Sequence, residues 1–506
     1  MLRLTKVLMA GAAVMALAAC GSAEVASPGE GDFGTAPTTP TTPVVPQPGN
    51  GVPATSCPTG LVNIGTVANN TLRACQLPAT ITGSLQLSVV PGVIYAISGK
   101  TQVGIDLGAN PATPAPGGLA GQLTIDPGVK IFARAAGDYL AINRGSKIFA
   151  EGTATNPIIF TSADDIEGRN NNSSQQQWGG VLIAGRAPIA NCPTGVTAPN
   201  EACVAVTEGT PDVLHGGNIA TDDSGRMRYF QIKYSGFPLF NNVELQSLTL
   251  AGVGSGTTIE FFQSYNSSDD GIEIFGGNVN LRNLVITGAD DDALDTDTGW
   301  RGAIQFAIVT QRPTIPTSGS RGLEWSAAPS GTAYFSAPKI SNLTVVGRNA
   351  AVAADSLIVL NTGTNPTIIN SVFTNPSTSA AACLDIDDAQ TVANNPIFRS
   401  VVFSCARPYE DDTNVNAAAT AAVFITGTNI NNNSAYTPTL TAPAGATITN
   451  QSLTFINGAT ENAVTVTPAP AVNAYFQAVT YIGAVRNAAD TWYLGWTCGF
   501  AAGSNC

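Results

Sequence analysis

LTIDPGVKIFA (residues 123–133) and LAINRGSKIFA (residues 140–150) are two near-copies of one pattern, 17 residues apart. Leu, Ile, Gly, Lys, Ile, Phe and Ala recur in register. Each copy reads as a short strand, a glycine turn and a second short strand. Apolar residues alternate within each strand, the period-two pattern of a face that is buried on one side. Ile158-Ile159-Phe160 follows the Leu140 strand at about the same step.

The pattern continues more loosely downstream. Strand-like pieces start near Leu248, Ile259, Ile272, Leu284, Leu294 and Ile304, and alternate members lie 20 to 25 residues apart. Others start at Leu343, Ile368 and Ile397. Strands of three to six residues, broken by Gly, Asn and Asp turns, suit an all-β solenoid, a parallel β-helix in which each coil stacks on the last. No segment keeps a helical period between two caps. A sandwich or a propeller is the alternative, but an offset of 17 is too short for a blade. The expected organisation is a leader over 1–19, a tether over 20–56, an N-terminal cap region over 57–120, the β-helix over 121–470 and a C-terminal cap over 471–506.

Composition narrows the function classes. The chain has 506 residues, 22 Lys+Arg against 35 Asp+Glu, a formal charge of −13 and only 11% charged residues. Few cations on an acidic chain exclude a phosphate-neutralising nucleic-acid binder. An apolar content of 44% excludes a disordered chain. One histidine, His215, cannot build a His-rich zinc site.

Residues 1–20, MLRLTKVLMAGAAVMALAAC, join a basic start (Arg3, Lys6) to an apolar run too short to span a bilayer. The run ends in Leu17-Ala18-Ala19-Cys20-Gly21, which resembles the lipobox of bacterial lipoproteins. That resemblance implies cleavage before Cys20 and acylation of it, a membrane anchor. Gly21 in place of Asp favours the outer membrane. Loss of Arg3 and Lys6 leaves 20 basic against 35 acidic side chains, or −15, so attachment falls to the acyl chains. Residues 21–56 are rich in Pro and Thr and read as an extended tether. Eight further cysteines fall in near pairs, Cys57/Cys75, Cys192/Cys203, Cys383/Cys405 and Cys498/Cys506. In an exported chain these read as disulfides, and pairing of neighbours is the expectation among 105 connectivities.

The repeat stretches, together with WGGVLIAGRAPIAN (178–191), DDGIEIFGGNVNLRNLVITGADDDALDTDTGWRGAIQFAIV (269–309) and YIGAVRNAADTWYLGWTCGF (481–500), resemble a family of bacterial secreted lipoproteins with a right-handed parallel β-helix. The resemblance covers roughly residues 120–310 and 480–500. It implies an exported β-helix at the outer membrane or cell surface. Some similar lipoproteins leave the cell through type II secretion machinery and support phosphate scavenging.

The densest polar cluster is Asp269, Asp270 and Glu273, then Asp290, Asp291, Asp292, Asp295 and Asp297. The two groups lie about one coil apart, so stacking brings them to one edge. A hard cation with oxygen ligands relieves such repulsion, and Ca²⁺ is the candidate cofactor, with Asp269, Asp270, Asp290, Asp291 and Asp292 as its ligands. Solvated turn residues are the commoner origin of Asp runs and carry the greater weight. An enzyme site is the third reading. A lyase needs Ca²⁺ and a basic residue, for which Arg282 and Arg301 are near in sequence. A glycoside hydrolase needs two carboxylates, which Asp270, Asp291, Asp292 and Asp295 can supply; this rests on fold analogy alone.

His215 reads as a satisfied loop residue, since no second His and no serine elbow accompany it. Trp492, Tyr493 and Trp496 read as the plug of the C-terminal cap, Trp178 as structural, and Asn429 to Asn433 as a surface turn. The reading favoured is a structural or binding role towards polysaccharide or another envelope partner, ahead of a polysaccharide-degrading enzyme.

Overall fold

The computed structural model describes residues 51–504 except 241–242, 314–319, 328–332, 349–354 and 377–380. The leader, Cys20, most of the tether and Cys506 lie outside the described residues. Strands of two to nine residues stack in parallel into a β-helix with a 15-stranded and an 11-stranded sheet. Inward Ile, Leu, Val and Phe form one continuous core from Cys75 to Phe424. Alternate strands of the sequence pattern belong to different sheets. Leu248, Ile272 and Leu294 stack in the shorter sheet. Ile259, Leu281 and Ile304 stack in the longer one, 22 and 23 residues apart.

The 17-residue repeat is a corner motif rather than a coil. Leu123 stacks on Ile148, and Ile131 on Phe160. What the two copies share is the turn glycine, Gly128 (φ +84°) and Gly145 (φ +79°), each in the left-handed region that a Cβ disfavours. The first copy turns between two faces of the long sheet; the second turns from the short sheet to the long one.

From Gly225 onward, two faces merge into single bent strands. Gly225–Lys233 pairs with Lys147–Glu151 through its first half and with Ile158–Ser162 through its second. The bend is one left-handed residue per coil: Tyr229, Phe261, Asn283, Phe306, Asn342, Asn370 and Ser400, with φ between 50° and 62°. The pairing register brings these seven into one column.

Two expected caps are placed differently. Residues 72–103, assigned to an N-terminal cap region, already form the first coils: Leu72–Gln76 pairs with Val93–Ile97, and Thr80–Ile81 with Lys100–Val103. These strands carry no copy of the corner motif, so the repeat did not reveal them. The last strand ends at Tyr409. Beyond it, helix Ala417–Ile425 closes the C-terminal end, with Phe424 stacked on Phe403 at 4.3 Å. Residues 471–504 do not close an end. They belong to a strap that runs back along the outer side of the bend column. Trp496 packs edge-on against the stacked rings of Tyr229 and Phe261, and Tyr493 packs with Phe455 and Phe500.

Side-chain amides fasten the strap. Gln263 takes both the N–H (2.6 Å) and the C=O (3.0 Å) of Cys498. Gln305 does the same with Gln477, and Asn370 with Thr467. Asn342 donates to the carbonyls of Tyr481 and Gly483. Aromatic surface drew these rings to the outer apolar face of the long sheet, where Tyr234, Tyr265, Val285 and Ile308 form a second core with them.

Three disulfides join neighbours, Cys57–Cys75, Cys192–Cys203 and Cys383–Cys405. Cys498 is also disulfide-bonded. Trp178 is structural: its buried indole donates to the Lys233 carbonyl.

Candidate functional site: an acid face on the shorter sheet

In the strands Ile272–Phe275 and Leu294–Asp297, alternation sends Ile272, Ile274, Leu294 and Thr296 inward. Glu273 and Asp295 face outward and are paired in register. The same column holds Thr249 one coil earlier and Glu324 one coil later. Adjacent strands are about 4.8 Å apart, so these carboxylates crowd one another.

The preceding turns add to them. Asp270 and Asp292 sit at equivalent corners. Asp292 N–H donates to Asp270 Oδ1 (2.9 Å), and Arg321 N–H to Asp292 Oδ1 (2.6 Å). Carboxylates thus hold consecutive corners together. One oxygen each from Asp270, Glu273 and Asp295 lies within 4.8 Å of the others, and likewise for Asp269, Asp270 and Asp291.

Burial makes this arrangement costly. Asp270 is 5% exposed and Glu273 7%. Glu273 makes no hydrogen bond among the described residues, and Asp295 Oδ1 is buried with no hydrogen-bond partner. Burial first, then the neighbouring carboxylates, push the Asp270, Glu273 and Asp295 carboxyls well above the usual range. Glu208, beside the hairpin of Ala205–Val206 and Leu214–His215, adds its charge to those acting on Glu273.

That hairpin covers the neighbouring part of the face. Val213 packs with Tyr139, Leu182 and Leu245. His215 accepts or donates to Thr207 Oγ1 through Nδ1 (2.9 Å) and lies 6.2 Å from the ring of Phe275. It is not fully satisfied, because Nε2 is buried without a hydrogen-bond partner. Burial, with Arg144 second, pushes its pKa down to about 3, so it is neutral at physiological pH.

Several residues expected at the cluster are elsewhere. Asp290 turns to Arg312 and Gln175, because the buried Arg312 guanidinium needs a counter-charge; it is not in either carboxylate group. Asp292 is taken up by Arg321. Arg301 stacks on Tyr334 at 4.0 Å and donates to the Phe335 carbonyl. Arg282 is on the other sheet, with Glu260 and Tyr475. The basic side chain at the cluster is Arg321, which also reaches Glu324 and Asp355. Asn429 to Asn433 are not a surface turn either: they seal the last strand's free edge, as set out below.

Sequence reasoning missed Arg321, Glu324 and Glu208. Counting outward positions along the coil register finds Glu324. A second carboxylate group, Asp385, Asp387 and Asp412, stands farther along the same sheet; its members are too far apart in sequence to form a motif.

The profile of a family described as a pectate-lyase-like β-helix domain matches residues 118–497. No curated protein and no solved structure matches the chain.

Proposed function

The chain belongs to the pectate-lyase-like β-helix family, and from that premise we propose that it is an extracellular polysaccharide-binding protein whose acid face holds Ca²⁺ and, through it, a glycan. The observation that carries the reading is Glu273: a buried carboxylate, unpaired by hydrogen bonds, beside Asp270 and Asp295. A buried carboxylate must be neutralised by a proton or a cation. The donor set is all oxygen, the chemistry a hard divalent cation prefers. Asp270, Glu273 and Asp295 would hold the ion, with Asp269 and Asp291 beside them. Asp290 and Asp292, engaged by Arg312 and Arg321, fall outside the set.

The raised carboxyls favour one second reading, glycoside hydrolysis. A protonated member donates to a leaving oxygen while an ionised neighbour attacks or stabilises. Their close approach is nearer to the separation of about 5–5.5 Å in retaining enzymes than to the wider inverting one. In a Ca²⁺-dependent lyase, the base at this cluster would be Arg321.

Anchoring through an acylated Cys20 would display the solenoid at the outer membrane or cell surface. Release by type II secretion, and support of phosphate scavenging, are a lesser variant of that reading.

Calorimetric titration with Ca²⁺, followed by pull-down on neutral and acidic glycans with Ca²⁺ or chelator, tests the proposal. Retention that needs Ca²⁺ and is lost in Glu273→Gln and Asp295→Asn is expected. No retention on any glycan in either condition overturns it. Released reducing ends would move the assignment to the hydrolase.

A further inference from the structure

The two ends of the solenoid close their strand edges very differently. At the C-terminal end, the outer edge of Ile397–Ser404 is fully paired. Asn429 and Asn432 accept the N–H groups of Phe398 and Val401 through their side-chain oxygens (2.9 and 3.0 Å). The carbonyls of Ile430 and Asn433 accept those of Ser400 and Phe403, and Tyr436 N–H returns to the Phe403 carbonyl. Two side-chain amides thus complete a missing coil, and helix Ala417–Ile425 covers the core beside it. At the N-terminal end, strand Val62–Val67 covers Leu72–Gln76 in antiparallel fashion.

Strand Gly83–Leu87 has no such cover. It pairs with Gly121–Ile125 on one side only. Gly83 N–H donates to the Ala120 carbonyl, and Leu87 C=O accepts from Asp126. In a parallel ladder successive residues point to opposite neighbours, so the backbone groups of Ser84 and Gln86 face outward, with no partner among the described residues. Ser84 and Gln86 are exposed; Leu85 and Leu87 point to the core. The devices that blunt an open edge, a charge, a proline or a bulge, are missing. Residues 76–98 contain no charged side chain at all.

Apolar surface gathers around the same edge. Seven large aliphatic side chains are exposed among the described residues, and Val52, Val62, Ile105 and Leu119 are at this end. Leu119 directly precedes the Ala120 carbonyl that pairs with Gly83, and it bridges to Ile105.

We propose that this edge is a self-association surface, in which Gly83–Leu87 pairs antiparallel with the same strand of a second copy and two solenoids join head to head. A two-fold axis at Leu85 sets Ser84 opposite the second copy's Gln86, a hydroxyl against an amide, and each pair is repeated by symmetry. Charge selects this occupant. Two chains of −13 repel over most of their surfaces, and this uncharged run is where approach costs least. The chain's own upstream segment is a poor substitute, since Pro37, Pro40, Pro43, Pro46 and Pro48 each lack the donor a ladder needs. The edge is five residues long, so a weak dimer, micromolar or looser, is the expected strength.

Sedimentation equilibrium on the chain carrying Cys20→Ala, which removes acyl-driven association, tests this. A concentration-dependent dimer is expected. Ser84→Lys/Gln86→Lys should weaken it at least tenfold with unchanged circular dichroism and melting temperature. Ser84→Cys/Gln86→Cys should give a disulfide-linked dimer on mild oxidation. A chain that stays monomeric at several hundred micromolar, or a dimer that survives the lysine pair, overturns the proposal.

Discussion

The strap side and the acid side of the solenoid both present polar groups on buried ground, and they treat them in opposite ways. Along the bend column, Gln263, Gln305 and Asn370 each match a donor and an acceptor of one strap residue. On the acid face, Asp270, Glu273 and Asp295 bring only acceptors to one place. The first arrangement is complete within the chain. The second needs a proton, a cation or a ligand from outside. Paired buried polar groups stabilise; unpaired like charges are kept against stability, which is the usual mark of a site.

The comparison breaks first if the strap contributes little. Trp496 is fully buried against Tyr229 and Phe261. Trp496→Ala should cost about 3–5 kcal/mol and expose residues 480–500 to protease before the coils unfold. Equal protease resistance of variant and wild type would show that the strap is not held by that ring.

A smaller effect tests the amide clamps. Gln305→Leu leaves the N–H and C=O of Gln477 unpaired where they are shielded from water. A loss of about 1–3 kcal/mol is expected in denaturant melts, against under about 0.5 for an exposed substitution such as Gln86→Ala.

On the acid face the sign reverses. In chelator, Glu273→Gln removes one of three crowded charges and should stabilise, on the order of 1 kcal/mol, the size of a one-unit pKa shift. With Ca²⁺ present the order of melting temperatures should invert, because the wild type gains from the ion and the variant does not. A variant less stable than wild type in both conditions would remove the repulsion argument.

The smallest effect is in the pH profile. The three carboxyls are raised in the fold. Their contribution is fully present below the unfolded value near 4 and is lost as pH rises through their folded values. His215 runs the other way. Its folded pKa of about 3 lies below the model value of 6.5, so its contribution is present above 6.5 and is lost as pH falls towards 3. In chelator, Glu273→Gln should flatten the decline on the alkaline side, and His215→Gln the decline below pH 6.5. Melting temperatures from pH 3.5 to 8 check both slopes.

How much of this was legible is clear from particular residues. Leu248, Ile272 and Leu294 announced stacked strands because an inward aliphatic repeats once per coil. Disulfide neighbours were legible because each pair brackets a short loop. The Asp runs pointed to the right corner of the molecule. They did not show that Asp290 leaves it, since its partner Arg312 is 22 residues on and Gln175 is 115 residues back. Nor did Asn429 and Asn432 look like anything but a turn, because their partners are main-chain N–H groups, which no sequence pattern marks.

The sequence by itself determined that this chain is a β-helix with its acids gathered near one sheet, because alternation, turn glycines and coil-length spacing are local or periodic properties. Only the tertiary structure decided which acids meet, what covers the bend and which strand edge stays open. Those depend on which coil an outward side chain faces, and a strap returning from residues 439–500 can settle that only once the solenoid it lies on has formed.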